Sequence, residues 1–387
     1  MGINNAIVIG GGIGGLATAT ALAQAGIAVT LLERSESFEP VGAGIQISPN
    51  GAAVLRALGL EPALRSRGAV VGQAVRLQDY RGGKAVARLD LTRLGAKQRY
   101  YFMHRADLVA VLLAAAKRAN VSIEMDAAVA GVRAGALQHV QLANGGTRRA
   151  ELVVAADGIH SVARPALNGA DQGKFAGQVA WRAVIPNTVD HPDEARVTMG
   201  PNRHLVSYPI RDGREINLVA VEERADWVAE GWSHGDDPQN MKDAFVEFNG
   251  LPGKMIRAVR ETTLWGLHHH PVAKRWHTGG VALLGDAAHP TLPFLAQGAN
   301  MALEDAWVLV HCLRRDGING LARYQALRAP RVERVIKAAE GNAWRYHLRP
   351  GPLRIAAHTG LRLASKLAPG RMIGAYDWLY GHDVTQA

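Results

Sequence analysis

Five of the six residues Gly10-Gly11-Gly12-Ile13-Gly14-Gly15 are glycine. They contain G-x-G-x-x-G, follow the apolar run Ala6–Ile9 and open the helix-like stretch Gly14–Ala25. That pattern suits dinucleotide binding. Gly10 permits the tight turn, Gly12 lets backbone approach a pyrophosphate, and Gly15 lets helix and strand pack closely. The helix start adds free N–H groups and about half a positive charge for phosphates. Glu33, eighteen residues past Gly15 and beside Arg34, would accept bonds from a ribose and disfavour a 2′-phosphate. A second candidate is the acid of Gly285-Asp286, which ends the apolar run Val281–Leu284 some 270 residues later. An acid at the C-terminal end of a strand sits where a doubly wound sheet binds its ligand. Asp286 would hold sugar hydroxyls, with a turn or capping role as the alternative. The helix start at Gly298-Ala299-Asn300 would face the electron-rich edge of a flavin. A third group is His204 and Tyr208, four residues apart on the strand-like run Arg203–Pro209 and so on one face. Spacing alone reads them as an exposed histidine and a core tyrosine.

The elements that must carry these groups follow from the apolar pattern. Ala6–Ile9, a helix ending at Gly26, and Ala28–Leu32 form a βαβ unit. Val121–Met125, Leu152–Ala156 and Val281–Leu284 read as further buried strands, and Ala106–Ala119 as a helix. Gln73–Leu89 reads as a hairpin turning at Arg81-Gly82-Gly83-Lys84. From about Gly173 the texture changes to antiparallel sheet, with strands at Phe175–Ile185, Arg203–Pro209 and Arg214–Glu222. Helices follow from about Gly298 to Asp316, Gly320 to Ala339 and Leu353 to Leu367. The expected segments are 1–172 and 276–340 for the nucleotide domain, 173–275 for a sheet domain that interrupts it, and 341–387 for a C-terminal helical part.

Composition sets outer limits. The 387 residues are 48% hydrophobic and 20% charged, as in ordinary globular enzymes. A single cysteine, Cys312, excludes an internal disulfide, an iron–sulfur site and a Cys-based zinc site, and suggests a cytoplasmic location. Glycines break the apolar N-terminus, so neither a signal peptide nor an integral membrane segment is expected. His268-His269-His270 alternates across a strand and precedes Pro271, so no metal site is assigned. The absence of a second G-x-G-x-x-G and of a C-x-x-C pair excludes a disulfide reductase and leaves dioxygen as the simplest electron acceptor.

The net charge of +10 is carried by residues 313–372, which hold 13 Lys/Arg and three acids. No Lys-rich run or RNA-binding signature accompanies it, so nucleic acid is not an expected partner. Arg354, His358, Arg362 and Lys366 recur every four residues on the last helix. That stripe reads as a solvated face, or as a surface attracting anions or anionic lipid. A second copy of the chain is a candidate partner.

The chain resembles the single-component FAD-dependent aromatic hydroxylases of the salicylate and 3-hydroxybenzoate hydroxylase type. The resemblance rests on the fingerprint, Gly42-Ala43-Gly44-Ile45 with Pro49-Asn50, His104-Arg105-Ala106-Asp107-Leu108, Asp157-Gly158-Ile159-His160-Ser161, the Gly-Asp segment and Tyr376-Asp377-Trp378-Leu379-Tyr380-Gly381. It implies an α/β fold: a Rossmann-like FAD-binding domain interrupted by an antiparallel-sheet substrate domain, with C-terminal helices. It implies FAD as cofactor, with NADH or NADPH and O2 as co-substrates. Arg105 matches the family arginine that contacts FAD, Asp157-Gly158 the segment for FAD and nicotinamide, and Asp286 the ribityl/diphosphate aspartate.

The resemblance also changes the reading of His204 and Tyr208, since the family places a His-x-x-x-Tyr pair at this strand. A flavin hydroperoxide attacks an electron-rich ring, and a phenolate is richer than a phenol. Free phenol has a pKa of about 10, and each unit of depression corresponds to about 1.4 kcal/mol. His204 is expected to deprotonate or polarise a substrate hydroxyl and Tyr208 to orient the ring or carboxylate. Gln46, Pro293 and Phe294 are expected beside the substrate. Two departures stand out. Gly279-Gly280 replaces an arginine common in relatives, and Ala183 in Trp181-Arg182-Ala183-Val184-Ile185-Pro186 breaks the W-x-W-x-I-P signature of flavin halogenases. The expected reaction is hydroxylation of a small phenolic acid such as salicylate or 3-hydroxybenzoate. Hydroxylation of an N-heterocycle such as 6-hydroxynicotinate or a purine, and a non-catalytic flavin redox sensor, are the alternatives.

Overall fold

The computed structural model describes residues 2–38, 42–170, 173–226 and 235–386. Part of the Gly/Pro/Ser-rich loop after Ser35 lies outside them. The buried strands assemble into a six-stranded sheet in the order 277–278, 281–283, 152–155, 5–9, 28–32, 122–124. Neighbours are parallel except for the first pair, which forms a hairpin through Gly279-Gly280. A Cβ at Gly280 would lie 2.4 Å from the carbonyl oxygen of Glu151, and Gly279 has φ +52°. The turn therefore leaves no room for a side chain at Gly280 and favours glycine at Gly279. Ala6–Ile9, Leu152–Ala155 and Val281–Leu283 are buried on both faces, which is why they read as unbroken apolar runs.

The second sheet has eight strands in the order 235–236, 262–269, 174–186, 215–223, 203–210, 194–200, 74–79, 85–90. The 194–200 and 74–79 strands run parallel and the other pairs antiparallel. The hairpin at Ala74–Asp90 therefore extends this sheet, although it falls within the segment 1–172 expected for the nucleotide domain. Its local form was legible from Gly82 and Gly83, both at positive φ. Its partner strand lies more than a hundred residues away. Two three-stranded sheets complete the fold. One is a meander of 129–133, 138–142 and 147–150, and the other joins 44–47, 101–104 and 70–71.

The Gly298–Asp316 helix packs against the helices Ile13–Gln24, Pro49–Ala57 and Gly320–Tyr346 and buries Glu304 and Asp305 completely. Buried carboxylates need partners. Arg328 Nε donates to Asp305 at 2.7 Å, Arg331 Nη2 to Glu304 at 2.7 Å and Asn50 Nδ2 to Glu304 at 2.6 Å. His289 Nε2 lies 2.6 Å from Asp305 Oδ2. Burial alone would raise the Asp305 carboxyl, but His289 and Arg328 hold it down to about 2. Asp305 also accepts the Gly285 N–H at 3.1 Å, so this network fixes the Gly-Asp turn from beneath.

The last long helix, Pro352–Leu367, divides the expected solvated polar stripe: Arg362 and Lys366 are exposed, but its first two members are not. Arg354 and His358 are buried, while Leu353, Ile355, Leu363 and Leu367 are exposed. The reason is a distant partner. Arg354 Nη2 donates to Asp79 Oδ2 at 2.8 Å and to the Met199 carbonyl at 3.0 Å, and His358 Nδ1 lies 3.7 Å from the same carboxylate. Among the described residues no helix is long and apolar enough to cross a membrane.

Candidate active site

The glycine turn leaves the first strand with Gly10 at φ +99°, a conformation L side chains rarely adopt. A Cβ on Gly15 would lie 1.9 Å from the Gly10 carbonyl oxygen, so helix and strand touch backbone to backbone there. A Cβ on Gly12 would meet nothing within 4 Å and would instead project into open space. The helix Ile13–Gln24 has no side-chain cap and no acid in its first turn, so its N–H groups are available to an anion. Glu33 Oε2 accepts the Gly11 N–H at 2.6 Å and Oε1 the Ser35 N–H at 2.9 Å.

These groups line one cavity of about 2610 Å³ that runs from the glycine turn to the eight-stranded sheet. A single small-ligand site occupies roughly 300–1,000 Å³, so the cavity has room for an extended dinucleotide together with a substrate. Of the residues expected at the cofactor, Gly10, Gly12, Glu33, Arg34, Arg105, Asp157, Gly158, Asp286, Gly298 and Ala299 line it. Gly15 and Asn300 do not. Gly15 is consumed by the helix–strand contact. Asn300 is fully buried and spends its amide on structure. Its Oδ1 accepts the Ser48 N–H at 3.0 Å, and its Nδ2 donates to the carbonyls of Gln46 and Ala296. Its place is behind the pocket wall, where it fixes the strand carrying Gln46.

The donor set fits FAD. Gly12 offers a cradle that any side chain would fill. Asp157 Oδ2 accepts the Val162 N–H at 2.9 Å, while its buried Oδ1 has no hydrogen-bond partner among the described residues. Burial holds the Asp157 carboxyl above its ordinary range. Asp286 is open to the cavity yet surrounded by protein, and this enclosure raises its carboxyl, with His289 and Arg105 opposing. Enclosure likewise lowers the Arg105 guanidinium, opposed by Asp286 and Glu33. Arg105 thus lies within electrostatic reach of both acids along the cavity.

At the far end the Arg203–Ile210 strand turns His204, Val206 and Tyr208 into the same cavity. His204 is buried among the rings of Phe294, Tyr346 and His347, with centroids at 5.9, 5.3 and 5.0 Å. Burial, then the neighbouring His347, depresses its pKa well below the usual histidine value. Tyr208 packs 5.4 Å from Phe102, and burial raises its phenol. Gln46, Pro293 and Phe294 line the cavity too. Tyr100 also reaches it and donates to Gln46 Oε1 at 2.8 Å. Arg182, Tyr346 and Tyr380 line it without having been singled out for a site. Alternation from Trp181, which faces away and bonds Asp236, was the signal that could have found Arg182.

The fold and the cavity define a FAD-binding oxidoreductase. Residues 4–339 match the family model described as FAD binding domain, and the chain belongs to that family, among the single-component FAD aromatic hydroxylases. A 3-amino-4-hydroxybenzoate 2-monooxygenase of Streptomyces platensis is 36% identical over 389 residues, covering 97% of this chain and 95% of the relative. A 6-hydroxynicotinate 3-monooxygenase of Bordetella bronchiseptica is 32% identical over 360 residues, covering 87% and 91%. Among solved structures, a variant of HpxO from Klebsiella pneumoniae complexed with FAD superposes with a TM-score of 0.85 at 26% identity, covering 97% of this chain and 98% of that one. The protein is therefore a flavoprotein aromatic monooxygenase, and the sensor alternative falls.

Proposed function

We propose that this protein hydroxylates a small phenolic aromatic acid of the hydroxybenzoate class, with NADH or NADPH and O2 as co-substrates. The observation that carries the reading is the placement of His204 and Tyr208 on one strand face, in the cavity that also holds the Gly12 cradle and Asp286. Bound FAD would supply the two-electron chemistry that takes reducing equivalents from NAD(P)H and activates O2. Gly12, the helix N-terminus, Arg105, Asp157 and Asp286 would hold it. His204, kept neutral by burial, accepts or polarises the phenolic proton. Arg182, whose guanidinium burial lowers to about 10, still carries its charge at neutral pH and offers a carboxylate partner near Tyr208. Its Cζ sits 4.5 Å from the Trp265 ring, which holds the fork in place. Phe294, Val206 and the tyrosines exclude water from the ring.

The relative that acts on 6-hydroxynicotinate supports a second reading, because such a heterocycle presents the same hydroxyl and carboxylate. NAD(P)H consumption by the yellow protein, measured across hydroxybenzoates and hydroxynicotinates with product mass, separates the two. Coupled consumption with a hydroxybenzoate is expected. Consumption coupled to product formation only with heterocycles would replace the first reading by the second.

A further inference from the structure

His204 does not stand alone behind the pocket. Its Nδ1 lies 2.7 Å from Nε2 of His347, and Nδ1 of His347 lies 2.7 Å from Oε1 of Glu223. The His347 side chain is 2% exposed, whereas that of Glu223 is 42% exposed. Three side chains thus connect the cavity to the protein surface through two short hydrogen bonds. The turn at Asn202 holds both outer members, since its N–H donates to the His347 carbonyl at 3.2 Å and its carbonyl accepts the Glu223 N–H at 2.9 Å.

The carboxylate sets the direction of the chain. An ionised Glu223 only accepts, so Nδ1 of His347 carries the proton that faces it. Neutral His347 then has a lone pair on Nε2, and His204 must donate from Nδ1. That leaves Nε2 of His204 as the basic nitrogen for a ligand in the cavity. The opposite tautomers would set a lone pair of His347 against the carboxylate.

We infer that His204, His347 and Glu223 form a proton relay that carries the substrate's phenolic proton from the closed pocket to solvent. This inference rests on the phenol-hydroxylase reading above. The substrate O–H bond breaks and its proton goes to Nε2 of His204. The Nδ1 proton of His204 passes to Nε2 of His347, and the Nδ1 proton of His347 passes to Glu223 and on to water. The net change is phenol to bound phenolate plus one solvent proton, with no electron moved. Running backwards, the relay protonates the product phenolate and restores both tautomers. His347 and Glu223 are positioning and relay residues. The groups around them are Arg203 on the same strand as His204, Glu222 beside Glu223, Arg224, which pairs with Glu222 at 3.1 Å, and Tyr346. Burial keeps His347 below its usual value, with Glu223 opposing.

The test is proton release on binding, read without turnover. FAD-loaded protein is mixed anaerobically, without NAD(P)H, with 4-hydroxy-3-nitrobenzoate or 3-hydroxybenzoate in weak buffer containing a pH-indicator dye. The probe is used at a pH below its solution pKa, so that it arrives protonated and any release reports ionisation in the pocket. Wild type should release a proton in step with binding. His347→Gln keeps an acceptor for His204 but cannot pass the proton on, and Glu223→Gln keeps an acceptor for His347 without the charge. Each should slow release by ~10-fold or more at nearly unchanged probe affinity and FAD content. Glu223→Asp should recover part of the rate. Release at the wild-type rate in both glutamine variants would overturn the relay. A wild type that binds neither probe would overturn the phenol reading, and the relay with it. Glu223 is half-exposed, so its variants report even if His347→Gln fails to fold.

Discussion

The Tyr100 hydroxyl donates to Oε1 of Gln46 at 2.8 Å, on the wall of the cavity. That bond fixes the Gln46 amide with its oxygen occupied, so its NH2 is the group left for a ligand. Tyr100→Phe frees the amide to rotate and should raise KM for the aromatic acid several-fold, with kcat changed less. Gln46→Leu should raise KM further. Steady-state kinetics on both variants check this, and equal effects on kcat and KM would contradict it.

Gly12 and Gly15 belong to one motif but should fail differently. Gly12→Val starts from a Cβ with no protein atom within 4 Å, so the fold should survive. FAD affinity should fall at least ~10-fold, because the added carbons fill the cradle. Gly15→Ala meets the Gly10 carbonyl oxygen at 1.9 Å and should lower the melting temperature of the FAD-free protein. Flavin absorbance and thermal melts of the two variants separate the effects.

Arg328 is buried between Glu304 and Asp305. Arg328→Leu leaves two buried carboxylates short of their cation and should cost about 3–5 kcal/mol. Urea unfolding measures it. A loss below about 1 kcal/mol would show that Arg331, Asn50 and His289 suffice.

His191 gives a pH signature. Its Nδ1–H donates to the Pro192 carbonyl at 2.8 Å, and its Nε2 accepts from Ser207 at 2.9 Å. Burial lowers its pKa to about 4. The unfolded histidine titrates near 6.5, so between these values the unfolded chain binds a proton that the folded chain does not. Stability is therefore lost as pH falls from about 6.5 towards 4, by up to about 1.4 kcal/mol per unit. Melting temperatures from pH 7 to 5 should drop less steeply in His191→Gln. Identical slopes would contradict the assignment.

What the sequence revealed divides by range. The βαβ unit, the Gly-Asp strand and the helix starting at Gly298 announced themselves because each is local, an apolar run bounded by glycine. Alternation put His204 and Tyr208 on one strand face, but spacing alone read them as an exposed histidine and a core tyrosine, and the family resemblance was what pointed them at a pocket. His347 was not found, since its meaning lies in a contact 143 residues away in the chain. The stripe beginning at Arg354 was visible, but that Arg354 and His358 turn inward depended on Asp79, 275 residues upstream of Arg354. Asn300 was read as a cofactor contact from its place in a motif. Its two-sided hydrogen bonding to Ser48 and Gln46 required knowing that those strands meet. Nothing local marks Glu304 and Asp305 as buried, because the cation that allows it, Arg328, lies on the next long helix.

The central claim is tested most directly by isotope incorporation. Yellow wild-type protein and His204→Asn are supplied with NADH or NADPH, a panel of hydroxybenzoates and isotopically labelled O2, and the product is analysed by mass. The account predicts one labelled oxygen atom in the ring product of the wild type. It also predicts turnover reduced on the order of 10²–10⁴ in the variant, with FAD content unchanged. A product without label, or full turnover in His204→Asn, would contradict it.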